Sequence, residues 1–231
     1  MNVLAVLHGA NCPPASFGDV VEGRGHRLDA WSLAWGVPPP RPVDDYGGVM
    51  LFGGAMHADQ EAHHPWLREE QLFIRRLLDL HVPLLGVCLG GQLVAKAAHA
   101  RVAPATESEI GWAEVELTDE AADDPLFAQL PRRFRAFEWH HYAFDVPAGA
   151  VELARSSVCP QAFRLGDAAW GVQFHPEVTP DVVARWVEES SDTLPDTFAA
   201  ETKRRLGGWE RLGRTLCSAF VAVAERVAVA A

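Results

Sequence analysis

The segment Pro83-Leu84-Leu85-Gly86-Val87-Cys88-Leu89-Gly90-Gly91-Gln92 constrains the fold more tightly than any other part of the chain. Its first half, Pro83 to Val87, is apolar throughout, as a strand buried on both faces must be. Its second half opens Leu89 to Ala98, whose Ala and Leu content suits a helix. Gly86 stands two residues before Cys88, and Gly90 and Gly91 stand two and three after it. Glycines so placed mark a strand-to-helix elbow too tight for side chains, which holds the residue at its apex exposed. The elbow also sets Cys88 at a helix N-terminus, where unpaired N–H groups and the macrodipole favour an anion; thiolate is the reactive form of cysteine.

The same strand-then-helix rhythm runs through the first half of the chain. Asn2 to Leu7 reads as a buried first strand, and Gly48 to Phe52 as a second that ends at Gly53-Gly54. His64 to Leu80 has helical spacing, with Trp66, Leu67, Phe73, Ile74, Leu77 and Leu78 on one face and Arg68, Glu69, Glu70, Arg75 and Arg76 on the other. Phe17 to Leu28 is a poorer helix, interrupted by Gly18, Gly23 and Gly25, and the Pro-rich Val37 to Asp45 is loop. Strands alternating with helices pair in parallel through crossovers, so the predicted class is α/β, a mostly parallel central sheet with helices on both faces.

In the second half the runs are shorter: Trp112 to Leu117, Phe134 to Phe137, Val151 to Ala154, Ala162 to Leu165 and Ala169 to Phe174. With turns between them they predict a partly antiparallel extension of the sheet. Pro180 to Glu189 and Trp209 to Val229 close the chain as helices. No Gly/Ser tract, Pro run or charge block divides the 231 residues, so a catalytic domain over 1–189 is expected to carry a helical extension, 190–231, packed on the same body.

Two further motifs give the elbow chemical meaning. Gly171-Val172-Gln173-Phe174-His175-Pro176-Glu177 sets a His and a Glu two apart at the end of an apolar strand, on one side of it, with Pro176 stiffening the link. A carboxylate so placed can orient an imidazole and stabilise its protonated form, which completes a nucleophile, base and orienter set with Cys88. Phe52-Gly53-Gly54-Ala55-Met56 follows the second strand, at the sheet edge where ligands bind in parallel folds. A glycine there can turn a backbone N–H toward a reacting carbonyl, alongside the N–H of Leu89.

Taken together, FGG, GVCLGGQ and VQFHPE resemble the motifs of the class I, triad-type glutamine amidotransferases, and more closely their stand-alone members similar to the glutaminase domain of GMP synthase. HPWLREEQLFI, SEIGW, WHHYAFDVP and CPQAF extend the resemblance over roughly Val3 to Glu189. It implies a flavodoxin-like three-layer fold, with Cys88 as nucleophile, His175 as base and acid, and Glu177 as its orienter. It also implies Gly54 and Leu89 as backbone oxyanion donors and Gly53, Gln92, His141 and Tyr142 as substrate contacts. The sequence departs from the family pattern at Ala55, where a Pro is usual, and at Tyr142, where an Asp is common.

The implied reaction releases ammonia from glutamine through a Cys88 thioester, for a separate synthetase partner. The same site also suits a stand-alone γ-glutamyl peptide or amide hydrolase, or a non-catalytic binding protein. No G-x-x-x-x-G-K-[ST] segment is present, so the acceptor chemistry is assigned to another chain, and no cofactor is expected. A formal net charge of -11 argues against nucleic acid as partner. The longest late apolar stretch, Ala219 to Ala224, is too short to span a membrane. Four scattered cysteines, Cys12, Cys88, Cys159 and Cys217, show no CxxC pairing, which fits a cytoplasmic protein. Ten histidines, among them His57, His63, His64, His140 and His141, invite a metal, yet HExxH and CxxC spacings are missing and no metal is expected.

Overall fold

Strands that are apolar at every position need cover on both sides, and the sheet supplies it. A computed structural model describes residues 1–230. Strands β1 (Asn2–Val6), β2 (Arg27–Trp31), β3 (Tyr46–Leu51), β4 (Leu84–Val87) and β9 (Ala169–Val172) pair in parallel in the order β2-β1-β3-β4-β9. The sheet continues from β9 through β8 (Pro160–Leu165), β7 (Val151–Arg155), β5 (Val102–Leu117) and β6 (Arg133–Phe144), all antiparallel. This is the α/β arrangement with a partly antiparallel extension that the sequence predicted.

Period-two alternation divides the core. Val3, Ala5, Met50 and Phe52 face one layer, packed with Phe17 and Val21 of α1 (Ser16–Gly23), Val183 of α4 (Pro180–Glu189) and Phe220 of α5 (Phe198–Ala230). Leu4, Val6, Val49 and Leu51 face the other, against Leu67 and Ile74 of α2 (Trp66–Asp79) and Leu93 and Val94 of α3 (Leu89–Ala97). Among the described residues no helix is long and apolar enough to cross a membrane.

Five elements and one side chain differ from expectation. The helix predicted over Phe17 to Leu28 stops at Gly23, and Arg27–Trp31 is instead the edge strand β2, in register with β1 from Asn2↔Arg27 to Val6↔Trp31. Its polar content conceals it, because Asp29 is buried against Arg27 and Arg41 at 2.7 and 2.8 Å. β5 and β6 run far beyond Trp112 to Leu117 and Phe134 to Phe137, as a long ribbon whose outer residues are charged, including Arg133 and Glu116. α5 starts at Phe198, eleven residues before the predicted Trp209, because its early turns contain Gly207-Gly208, poor helix formers that packing overrides. Glu70, read as solvent-facing on α2, is fully buried.

Candidate active site

Neighbouring strands β3, β4 and β9 end on the same edge of the sheet, so the residues that follow them meet. After β4 comes Cys88, with φ 52° and ψ -111°, in a region that non-glycine residues rarely occupy. Its N–H donates to the Val172 carbonyl at 2.8 Å, which ties the elbow to the end of β9. The flanking glycines are there for close approach: a Cβ on Gly86 would lie 2.5 Å from the backbone of Gly90, and one on Gly90 would strike the Leu51 carbonyl. Leu89 is the first residue of α3, so its N–H has no intrahelical acceptor and remains available at the helix end.

After β9 the chain leaves the sheet, and His175 and Glu177 lie in a turn around Pro176 rather than on the strand itself. The pairing the sequence predicted is nevertheless made: His175 Nδ1–H donates to Glu177 Oε1 at 2.8 Å, with both side chains buried. The turn is clamped from several sides. His175 N–H donates to the Phe137 carbonyl, the Trp209 indole donates to the His175 carbonyl at 2.7 Å, and Ser16 Oγ donates to the Glu177 carbonyl at 2.8 Å. The Trp186 ring packs edge-on to the imidazole, with centroids 4.7 Å apart. Burial by itself would lower the basicity of His175; the charge of Glu177 and the adjacent Cys88 sulfur outweigh it and hold the imidazole well above its usual range.

Gly53 and Gly54 follow β3. A Cβ on Gly53 would sit 3.1 Å from the His175 ring and 3.8 Å from Cys88 Cβ, so the glycine lies close to both side chains. His8, at the end of β1, supports this turn from below. Its Nδ1–H donates to the Phe52 carbonyl at 2.8 Å and its Nε2–H to Glu70 at 2.9 Å. Burial opposes a charge on His8, but Glu70 and the carbonyls of Phe52 and Gly53 together raise its basicity.

These groups open on a cleft of about 440 Å³. Cys88, His175, Gly54, Leu89, Gln92, His141 and Tyr142, all singled out from the sequence, line it, and Glu177 stands behind His175. Gln92 donates from Nε2 to the Tyr142 carbonyl at 2.9 Å and to Gln173 Oε1 at 3.1 Å. The Tyr142 ring stacks on His57 at 4.1 Å and its hydroxyl donates to Asp59. His141 lies 3.3 Å from Asp192, which also accepts from the Trp139 indole at 2.8 Å. Cys12 shares the cleft, but burial, then the charges of Cys88 and Glu177, push its thiol up and keep it protonated.

Sequence reasoning missed a polar group that reaches the cleft through His140. Glu109, His140 and Cys159 bring three potential ligand atoms within 4.8 Å of one another. Glu109 Oε2, however, already faces donors from His140 (3.1 Å), Gln161 (2.8 Å) and Ser156 (3.1 Å). Protons converging on one oxygen suit an ion pair better than a cation. The signal for this group lay in SEIGW and in Glu138-Trp139-His140, but only the antiparallel pairing of β5 with β6 sets Glu109 opposite His140.

A thiol on a strained elbow, an imidazole beside it, a carboxylate behind that and a glycine turn in front define an α/β protein with the parts of a nucleophile, base and orienter. The chain belongs to the class I glutamine amidotransferases, whose family model, "Glutamine amidotransferase class-I", matches residues 36–188. It is 28% identical over 201 residues to the glutamine amidotransferase-like protein YfeJ of Salmonella typhimurium, covering 85% of this chain and 84% of that protein. It is 45% identical over 135 residues to the glutamine-hydrolyzing GMP synthase of Thermomicrobium roseum, where the match covers 57% of this chain and 23% of that longer protein. A crystal structure of a glutamine amidotransferase from Thermotoga maritima superposes with a TM-score of 0.86 at 31% identity, over 96% of this chain and 98% of that one.

Proposed function

We propose that the protein hydrolyses the side-chain amide of glutamine through a covalent intermediate on Cys88. The observation that carries this reading is the 2.8 Å contact between His175 and Glu177, which faces a cysteine held at positive φ beside the ring. The Cys88 thiolate attacks the carboxamide carbon, and the oxyanion that forms is held by the N–H groups of Gly54 and Leu89. His175 gives its proton to the leaving nitrogen, ammonia departs, and a glutamyl thioester remains. A water molecule deprotonated by His175 then cleaves the thioester, which releases glutamate and the free thiol. Glu177 keeps the imidazole oriented and favours its charged form throughout. Positioned acid–base help contributes about 10²- to 10⁴-fold, and one oxyanion donor about 10²- to 10³-fold.

In this reading the ammonia goes to an acceptor enzyme on a separate chain; the match to the GMP synthase relative covers 23% of that protein. We place the protein in the cytoplasm on its four unpaired thiols. A second reading, hydrolysis of larger γ-glutamyl amides, is favoured by Tyr142: an aromatic pair with His57 lines the cleft at the position where the sequence departs from the family's Asp.

Purified protein supplied with glutamine and with γ-glutamyl dipeptides separates the two, because faster release from the dipeptides selects the second. Cys88→Ser is expected to remain folded and to lose on the order of 10³-fold or more of either activity. Equal turnover by this variant would sink the assignment. Failure of Cys88 to react with a glutamine-like diazo-ketone would instead mark a binding protein on the same fold.

A further inference from the structure

His140 lines the cleft and turns a ring nitrogen toward each of two acceptors. Nδ1–H donates to the Tyr142 carbonyl at 3.0 Å and Nε2–H to Glu109 Oε2 at 3.1 Å, with Glu138 at 3.5 Å on the same side. A carbonyl and a carboxylate only accept, so both nitrogens carry protons and the ring is an imidazolium. It is 3% exposed, Glu109 is 7% exposed and Glu138 is fully buried. Burial would strip the charge from His140, but its hydrogen bond to Glu109 and the carboxylate of Glu138 3.5 Å away raise it to about 10.

The Tyr142 carbonyl that His140 holds also accepts from Gln92 Nε2 at 2.9 Å. Because that carbonyl can only accept, the Gln92 atom facing it must be the nitrogen, and the amide cannot be flipped. The second Nε2 proton goes to Gln173 Oε1 at 3.1 Å. Both donors of Gln92 are therefore spent inside the protein, and Oε1 is the polar end left for the cleft that Gln92 lines.

We propose that His140 is a positioning residue: pinned between Glu109 and the Tyr142 carbonyl, it orients Gln92 so that its amide oxygen faces the cleft as an acceptor for an N–H donor of the substrate. Among the described residues that line the cleft, Glu189 and Asp192 are acidic, and His140 and His175 are held in their charged forms. An acceptor at Gln92 Oε1 suits an N–H donor such as the ammonium group of glutamine. This rests on the proposed amide hydrolysis for the identity of the ligand, but the orientation of Gln92 can be tested without it.

The test has one spectroscopic and one kinetic arm. In wild-type protein carrying ¹⁵N-labelled histidine, the resonance that His140→Asn removes should show both ring nitrogens protonated at neutral pH. The Gln92 side-chain protons should exchange slowly, and about tenfold faster in His140→Ala. In the kinetic arm, His140→Ala is expected to raise the KM for glutamine about tenfold while alkylation of Cys88 by iodoacetamide stays within about twofold. His140→Asn, which keeps a donor toward the Tyr142 carbonyl, should recover part of the loss. Should His140→Ala not fold, Glu109→Gln takes its place in both arms. A neutral His140, or Gln92 exchange that the substitution leaves unchanged, overturns the proposal; so does alkylation that falls in step with the change in KM. Wild-type protein that hydrolyses no amide defeats the proposed function instead, and the exchange measurement still decides the role of His140.

Discussion

His175 is basic only because Glu177 and the Cys88 sulfur outweigh its burial, so its behaviour rests on single neighbours. Glu177→Gln removes the larger favourable charge while leaving an acceptor near Nδ1. The imidazolium then gives up its proton at lower pH than in wild type, and kcat/KM should fall about 10²-fold, with the acid form lost earlier as pH rises. A pH–rate profile identical to wild type would count against the pairing as the source of basicity. Glu138 is the opposite case. Burial pushes its carboxyl up to about 7, against the pull of His140, with the charge of Glu109 assisting and that of His175 opposing. A raised carboxyl binds its proton more tightly when folded than unfolded, so its contribution to stability is fully present below pH about 4.5 and is lost as pH rises through about 7. Glu138→Gln should flatten that decline, worth on the order of 3 kcal/mol, as read by urea unfolding at a series of pH values. Cys88, His175 and Glu177 were legible in the sequence because glycine spacing and a two-residue interval are local patterns. His8 and Glu70 were not, because 62 residues separate them and only the packing of α2 on the sheet joins them.

That buried pair is also where separate elements are fastened together. His8 extends from β1, Glu70 from α2, and the Phe52 carbonyl from the end of β3, so one imidazolium fixes the turn that carries Gly53 and Gly54. His8→Leu strands the Glu70 carboxylate in the core and should cost about 3–5 kcal/mol, whereas His8→Leu with Glu70→Leu should recover much of it, since two apolar groups replace the pair. Chemical denaturation of the two variants reads the difference, and equal losses in both would mean that the ion pair is not what the turn depends on. At this scale the sequence was most informative where a strand is buried on both faces. β1, β3 and β4 lie in the middle of the parallel half, and their unbroken apolar runs follow from that position. β2 is an edge, so one of its flanks meets water and Arg27 and Asp29 interrupt the pattern. The outer ribbon of β5 and β6 was truncated in the reading for the same reason: side chains such as Glu107 and Arg133 face solvent and carry no signal of burial.

Across the whole molecule, the question is whether the last helix belongs to the catalytic body. We propose that residues 1–189 and 190–231 form a single cooperative unit, because α5 supplies core to the same face that carries the site. Leu216, Phe220, Val221 and Ala224 are fully buried, Phe220 meets the Trp170 ring of β9 edge-on with centroids 6.4 Å apart, and the Trp209 indole holds the His175 carbonyl. An independent appendage would leave an intact apolar face beneath it; here the part of the face that α5 covers, on β3 and α1, would be exposed. Burying each large aliphatic or aromatic side chain contributes about 1.5–3 kcal/mol, so losing several exceeds the whole stability of an ordinary domain. A chain ending at Glu189 is therefore expected to be insoluble or to lack a cooperative thermal transition, while the full chain melts in one step. Trp209→Phe gives the graded version: it keeps most of the packing but drops the hydrogen bond to His175, so its melting temperature should fall modestly while kcat falls more. A truncated chain that melts sharply and retains amide hydrolysis would place the boundary of the catalytic unit at residue 189.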